Sequence, residues 1–290
     1  MNIFLKHIIF FSIGLLIFNS FVLLIVEPYY YKPYNNQYVN DSCKIILLAD
    51  SHGLPLKDNL KMQGVLNYSS ASDSYFDMYR KLLYSIKNSS IEKVIITTDN
   101  HTLSKYRENF NNSDRSVKYI QFNDYDLLIT NSYELFKEKY LQRIVPLFNP
   151  KTTEIVKNYF KSFLENKNKA QTNWKLNNKK RQLSRERAEL QYVGSDSSEK
   201  LTECVRSIIE LCKDRKIDIV AIKFPLAKDY LNETYGKNYG ADNIFKSLGI
   251  PVYDFRELYI DHDEYFSNQD HLNDKGGKLF SEELVKVLKL

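Results

Sequence analysis

Lys44-Ile-Ile-Leu-Leu-Ala-Asp50-Ser51-His52-Gly53 is an aliphatic run cut off by a polar turn. The run is too short for a helix of ordinary length, and its isoleucines suit a buried strand that delivers Ser51 into the turn. Open α/β sheets bind their ligands beyond the carboxyl ends of the strands. A hydroxyl placed there is accessible while the strand behind it stays rigid, which makes Ser51 the first candidate nucleophile.

Similar short apolar runs recur along the chain. Lys93-Val-Ile-Ile-Thr-Thr98, Ile217-Asp-Ile-Val-Ala-Ile-Lys-Phe-Pro225 and Ile250-Pro-Val-Tyr-Asp-Phe255 all read as strands, and Val65-Leu-Asn-Tyr-Ser-Ser-Ala-Ser72 as a short strand with its exit loop. Between them, Tyr75, Phe76, Met78, Tyr79, Leu82, Leu83 and Ile86 recur at three- and four-residue spacing, as do Val205, Ile208, Ile209 and Leu211. That period describes amphipathic helices laid on a sheet. Strands alternating with helices predict an α/β fold with a mostly parallel central sheet and right-handed crossovers. No internal repeat interrupts the pattern.

A serine hydroxyl needs a base within hydrogen-bond reach. Of five histidines, His7 precedes a membrane-type segment, and His52 adjoins Ser51 in sequence and is expected to point elsewhere. His101 and His262 lie in other polar turns. His271 sits in Asn268-Gln-Asp-His-Leu-Asn-Asp-Lys-Gly-Gly277, just before a final amphipathic helix.

Ala49-Asp50-Ser51 after the first strand, with Asp270-His271-Leu272-Asn273 before the last helix, resembles the SGNH/GDSL hydrolase superfamily. The closer resemblance is to its membrane-anchored branch, associated with O-acylation of bacterial envelope polysaccharides. It spans roughly residues 44 to 290 and implies a three-layer, flavodoxin-like fold. It also implies that Ser51 is the nucleophile and His271 its base. The family often places an aspartate three residues before the histidine, where this chain has Asn268. Either Asn268 or Asp270 is left to orient the imidazole.

An acyl-transfer site also needs donors aimed at the developing oxyanion. The resemblance implies a glycine donor after the second strand, but residues 67 to 72 contain no glycine. Asn67, Ser69, Ser70 or a backbone N–H among them is the substitute. An asparagine at the end of the third strand is also implied, and Asn100 is the nearest match, without the family's glycine before it. His101 beside it either binds substrate, stands in as base, or caps the following turn.

Residues 8 to 26 carry no charged side chain, and at about 1.5 Å per residue they approach the roughly 30 Å hydrocarbon core of a bilayer. Lys6 before the segment and Glu27 after it predict a cytoplasmic amino terminus and a periplasmic or extracellular body. Glu27-Pro-Tyr-Tyr-Tyr offers no small-residue cleavage site, which favours an uncleaved anchor over a signal peptide. The expected organisation is an anchor at 1–27, a linker at 28–43 and a catalytic domain at 44–290 with a basic insertion near 161–190.

Residues 161 to 190 hold nine Lys or Arg against three Glu around the only tryptophan, Trp174. Such a stretch reads as a solvated loop, a lid, or a surface for headgroups or an acidic glycan. The net charge of +5 is too mild to argue for nucleic-acid binding. Cys43, Cys204 and Cys212 lack metal-type spacing and read as free thiols. Asp261-His-Asp-Glu264 and Asp270-His271 are ligand types without ligand spacing, so neither metal nor cofactor is expected.

The reading, carried by the resemblance, is an exported serine O-acyltransferase acting on ester groups of an envelope polysaccharide. It implies a membrane contact through the amino-terminal helix and an integral membrane acyl-donor protein as partner. A carbohydrate esterase or lipase of the same fold, and a non-catalytic glycan-binding module, remain the alternatives.

Overall fold

In a computed structural model the elements run α1 (Ile3–Val26), β1 (Ile45–Leu48), β2 (Val65–Asn67), α2 (Tyr75–Asn88), β3 (Lys93–Thr97), α3 (Ser132–Phe136), α4 (Thr152–Leu164), α5 (Lys180–Gln191), α6 (Glu199–Asp214), β4 (Asp218–Lys223), β5 (Val252–Asp254) and α7 (Asp274–Leu288), with shorter helical turns between. The structure describes residues 3–35, 43–124, 126, 128–129, 131–164, 174–194 and 196–290. Two units divide the chain: residues 1–38 with 121–169, and residues 39–120 with 170–290.

The larger unit is built on a five-stranded sheet in the order β2-β1-β3-β4-β5. Every adjacent pair is parallel, with Leu48 opposite Ile96 and Thr97 opposite Ile222. The sheet is thus the α/β arrangement that the strand and helix pattern predicts. Because β2 and β3 lie on opposite sides of β1, the strand order reverses between β1 and β3. In doubly wound sheets ligands bind at this reversal, outside the carboxyl ends of the strands. Ser51 follows β1 and Asp99 follows β3, so the chemistry-bearing turns flank it.

Leu47, Ile95, Ile222, Phe224, Phe255, Phe280 and Leu284 form one apolar cluster on the sheet. Trp174 is buried in the same cluster, so the tryptophan of the basic stretch is core rather than a surface contact. The following α5 sends its cations to acids: Lys180 to Asp263, Arg185 to Glu233, Arg187 to Asp270. Residues 165–173 of that stretch lie outside the described residues. Cys43, Cys204 and Cys212 are in no disulfide, the last two being buried in α6.

Helix α2 opens on a capping box in which Ser74 and Asp77 satisfy each other's backbone N–H groups. Its inward face carries an unexpected charge, Lys81, fully buried. The ammonium donates to the Tyr68 carbonyl at 2.7 Å and the Ser70 hydroxyl at 3.0 Å, and pairs with Asp73. Those three acceptors fix the loop leaving β2, which lacks the glycine the resemblance implies.

The smaller unit contains the apolar helix. Residues Ile3–Tyr34 form the one helix, among the described residues, long and apolar enough to cross a membrane. The stretch read as a linker from residue 28 is helical through Asn35: a wider π-type turn at Glu27–Tyr31 admits Pro28, and Lys32–Asn35 continue it. Tyr31 explains why, because its ring packs with Val22, Val26 and Ile155. Residues 36–42 of that linker lie outside the described residues.

Back in the larger unit, helix α7 starts against the turn that carries Ser51. Gly277 lies so near Pro55 that a Cβ there would run into the Pro55 carbonyl. The Gly277→Ala substitution is therefore expected to cost about 1–3 kcal/mol, the usual range for overpacking. Urea titration of the variant checks this; wild-type stability would overturn the packing account.

Candidate active site

Ser51 is the first residue of a 3₁₀ turn, Ser51–Leu56, capped by Asp50, whose carboxylate accepts the His52 N–H at 3.0 Å. The cap fixes the backbone at the strand end and leaves the Ser51 side chain half-buried. From the far end of the chain, His271 Nε2 meets Ser51 Oγ at 2.7 Å. The two residues that the sequence pairs as nucleophile and base are thus in direct contact.

Asn268 and Asp270 both reach the other imidazole nitrogen. Asn268 Oδ1 accepts from His271 Nδ1 at 2.9 Å, and also from the backbone N–H groups of Asp270 and His271. Asp270 Oδ1 lies 2.9 Å from the same Nδ1, outside hydrogen-bonding alignment. The amide oxygen therefore aims the ring while the carboxylate supplies charge beside it. Because Asn268 Oδ1 only accepts, the bond assigns the proton to Nδ1 and leaves Nε2 as the acceptor facing Ser51.

Asp270 is 1% exposed and does not stand alone. Arg187 Nε donates to its Oδ2 at 2.8 Å, and His52 Nε2 lies 3.8 Å from the same oxygen. Burial pushes the Asp270 carboxyl up, but His271, His52 and Arg187 more than offset it and hold the group well below the usual carboxylate range.

His52 does not point away from the site. Its Nδ1 contacts Asp99 Oδ2 at 2.9 Å and Asp50 Oδ1 at 3.2 Å, and its ring centre lies 4.9 Å from that of His271. Asp99 is held in turn by the Thr97 hydroxyl at 3.0 Å and the Phe224 N–H at 2.8 Å. Burial lowers the imidazole's proton affinity, but Asp50, Asp270 and Asp99 raise it well above the ordinary histidine value. His101 faces Asp50 Oδ2 at 3.6 Å, the same distance as Arg107. Burial, with the neighbouring His52 and Arg107, leaves His101 below its ordinary value. Asp50, also buried, is held low by His52, His101 and Arg107.

The side chains expected as oxyanion donors are engaged elsewhere. Asn67 Nδ2 donates to the Gly53 carbonyl at 2.6 Å and its Oδ1 accepts the Ser69 N–H, so it braces the Ser51 turn. Ser69 is fully buried beneath Gly53, where a Cβ would collide with its hydroxyl. Asn100 donates to the Lys237 carbonyl at 2.9 Å and accepts from Lys223 at 2.7 Å. Its amide lines a separate polar cleft with Lys223, Lys237 and Arg256.

Arg107, Arg187 and the central position of His52 were not legible as site features. Arg107 comes from a short helix and also donates to the Asp73 carbonyl, and Arg187 comes from the basic stretch. A cation two residues before Glu189-Leu190 carries no local sign that it faces a carboxylate 83 residues away.

Two groups could offer metal ligands: Asp50, His52 and His101, and His52, Asp270 and His271, each with donor atoms within 4.8 Å of one another. In both, a guanidinium already contacts the carboxylate, Arg107 on Asp50 and Arg187 on Asp270. A cation entering either group would have to displace that charge.

No protein-family model and no curated protein matches the chain. Solved structures do. A candidate acylhydrolase from Bacteroides fragilis is 11% identical, with 90% of this chain and 94% of that chain covered and a TM-score of 0.45. A GDSL-like lipase from Bacteroides thetaiotaomicron is 11% identical over 90% of this chain and 98% of its own, with a TM-score of 0.42. A candidate lipolytic protein of the G-D-S-L family from Desulfitobacterium hafniense is 11% identical over 84% and 99%, also with a TM-score of 0.42. Likeness this distant leaves the chemistry to be read from the site itself.

The raised proton affinity of His52 has a signed consequence for stability. Its attraction to the three carboxylates is fully present below the unfolded value of 6.5 and is lost as pH rises through the higher folded value. Asp50 and Asp270 contribute oppositely, stabilising above 3.8 and losing that contribution as pH falls. Replacing His52 by Gln is expected to destabilise most near neutral pH, with the gap to wild type closing toward alkaline pH. Urea titrations from pH 6 to 10 measure the gap, and a gap independent of pH would rule the charged imidazole out.

Proposed function

We propose that this chain is a membrane-anchored serine O-acyltransferase that moves ester-linked acyl groups, acetyl foremost, onto a cell-envelope polysaccharide. The observation that carries the chemistry is the 2.7 Å contact between Ser51 Oγ and His271 Nε2 across 220 residues of sequence. Few arrangements other than nucleophile activation bring a half-exposed serine at a strand end onto the unprotonated nitrogen of an oriented imidazole.

In the proposed reaction His271 Nε2 takes the proton from Ser51 Oγ as that oxygen attacks the ester carbonyl. The developing imidazolium keeps its Nδ1–H on Asn268, and Asp270 beside it favours the positive charge. The Ser51 N–H, opening a helical turn, is the first oxyanion donor. Collapse breaks the ester C–O bond, and His271 returns its proton to the departing alcohol. A sugar hydroxyl, deprotonated by the same Nε2, then attacks acyl-Ser51; collapse breaks the acyl–Oγ bond, His271 returns the proton to Ser51 Oγ, and the sugar leaves with the acyl group.

Water in place of the sugar hydroxyl would make the same residues an esterase. The transferase reading draws on the sequence resemblance and on the apolar helix Ile3–Tyr34, read as an anchor with its amino terminus in the cytoplasm. It implies an integral membrane acyl donor as partner and an active domain on the outer side.

The full chain in detergent should react with a fluorophosphonate probe at Ser51. Labelling is expected to vanish in Ser51→Ala and to slow by about 10²–10⁴-fold in His271→Ala, the usual worth of a general base. A folded wild-type protein that does not label would overturn the serine mechanism. With an acetyl ester as donor, oligosaccharide acceptors should divert acyl-Ser51 from hydrolysis; release as acetate alone would assign the chain to the esterases.

A further inference from the structure

Helices on the outside of a water-soluble body turn polar residues outward. In the smaller unit a set of large apolar side chains faces outward as well. Along α3 and its continuation to Ile144, the residues Tyr133, Phe136, Tyr140 and Ile144 are all exposed, at spacings of three, four and four. A wider π-type turn at Lys137–Leu141 joins the two α-helical pieces, and the Phe136 and Tyr140 rings remain neighbours across it, 5.9 Å between centres. At the turn that follows, Phe148 is 58% exposed, and beyond it Phe160 and Phe163 project from α4.

Contacts within this unit give the stripe a depth. Asn19 sits in the middle of the uncharged segment of α1 and donates to the Ile144 carbonyl at 3.1 Å. At about 1.5 Å per residue, Asn19 lies about 10 Å below Val26, where that segment ends. Ile144 shares this depth. The Asn19 amide N–H and the Ile144 carbonyl would each lack this partner in hydrocarbon, and here the one donates to the other.

Of the charges nearby, Arg143 and Lys137 lie toward the upper end of the apolar segment, whereas Lys151 and Glu154 follow the tip and must reach headgroup level along their own side chains. Arg143 reaches up to Glu27 and binds its carboxylate with two nitrogens, so the charge next to Ile144 is paired at the end of the apolar segment. Lys137 is seven residues before Ile144, up to about 10 Å higher along a helix and so near the level of Val26. The turn itself leaves little backbone unsatisfied: Phe148 N–H bonds to Val145, Asn149 N–H to Pro146, and the Thr152 hydroxyl to the Pro146 carbonyl. Asn149 is tied to the Tyr31 hydroxyl at 2.9 Å, and Ile155 packs against Val22 and Val26, which fixes the returning limb to α1.

We infer that residues 133–164 form a helical hairpin that dips into the lipid leaflet beside α1, with Ile144 and Phe148 at its tip in hydrocarbon. The stripe is a lipid-facing surface, with Tyr133 and Phe136 at headgroup level. The chain then holds the membrane by a span and a half-immersed hairpin, and α1 is not a lone tether. This rests on the reading of Ile3–Tyr34 as a membrane span.

Tryptophans introduced singly into the full chain in lipid nanodiscs test both levels. Phe18→Trp reports on the span, Phe148→Trp and Ile144→Trp report on the tip, and native Trp174, buried in the other unit, gives the background. With phosphatidylcholine brominated in mid-chain, all three new tryptophans are expected to be quenched at least twofold beyond that background. Quenching at Phe18→Trp without quenching at the tip would overturn the hairpin while leaving the span intact, and would mark the stripe as a surface for another protein. No quenching at Phe18→Trp would overturn both. Circular dichroism of each variant verifies that the helices persist.

Discussion

The approach of α7 to the Ser51 turn is the constraint on which the site depends. His271 can reach Ser51 only if the segment before α7 lies against the carboxyl end of β1, and that requires a helix start with no side chain facing Pro55. Gly277 meets that need. Asn273 caps the helix by accepting the Gly276 N–H at 3.0 Å, and its amide donates back to the Glu264 carbonyl at 2.8 Å. The cap thus ties the helix start to the loop before it, and the imidazole is delivered by backbone packing before any side-chain contact is made.

Around that contact the protein keeps an unusual amount of charge out of water. Asp50, Asp99 and Asp270 face Arg107, Arg187 and His52, all but Arg187 nearly fully buried. Buried ions survive when each has an opposite partner and its remaining hydrogen-bonding capacity is used. Removing one member leaves another uncompensated, so the cluster specifies one arrangement of the β1, β3 and α7 ends. That is a stricter requirement than the apolar core imposes, because apolar side chains can exchange neighbours at small cost.

The sheet was legible because its strands are short aliphatic runs bounded by polar turns, and such runs have few other uses. Ser51 and His271 were legible for a related reason: each follows or precedes an element whose end is marked by composition. Asn100 was misjudged because its place after β3 predicts nothing about which way the amide turns, and here Lys223 and the Lys237 carbonyl capture it. His52, Arg107 and Arg187 acquire meaning only through burial among groups distant in sequence, which no local period encodes. The helical run after Glu27 was hidden by its prolines, although Pro28, interior to the run, is accommodated by the wider π-type turn at Glu27–Tyr31.

Asn268 stands where a carboxylate would ordinarily hold the imidazole, and a neutral amide cannot answer a charge that appears on the ring. Asp270 must do so, yet its oxygens are already shared with Arg187 and face His52. In the proposed reaction, protonating His271 adds a third cation to one carboxylate that two others have already polarised. Asp270 is thus shared among His271, Arg187 and His52 rather than dedicated to the base, so a change at either of the other two alters the carboxylate that the ring meets.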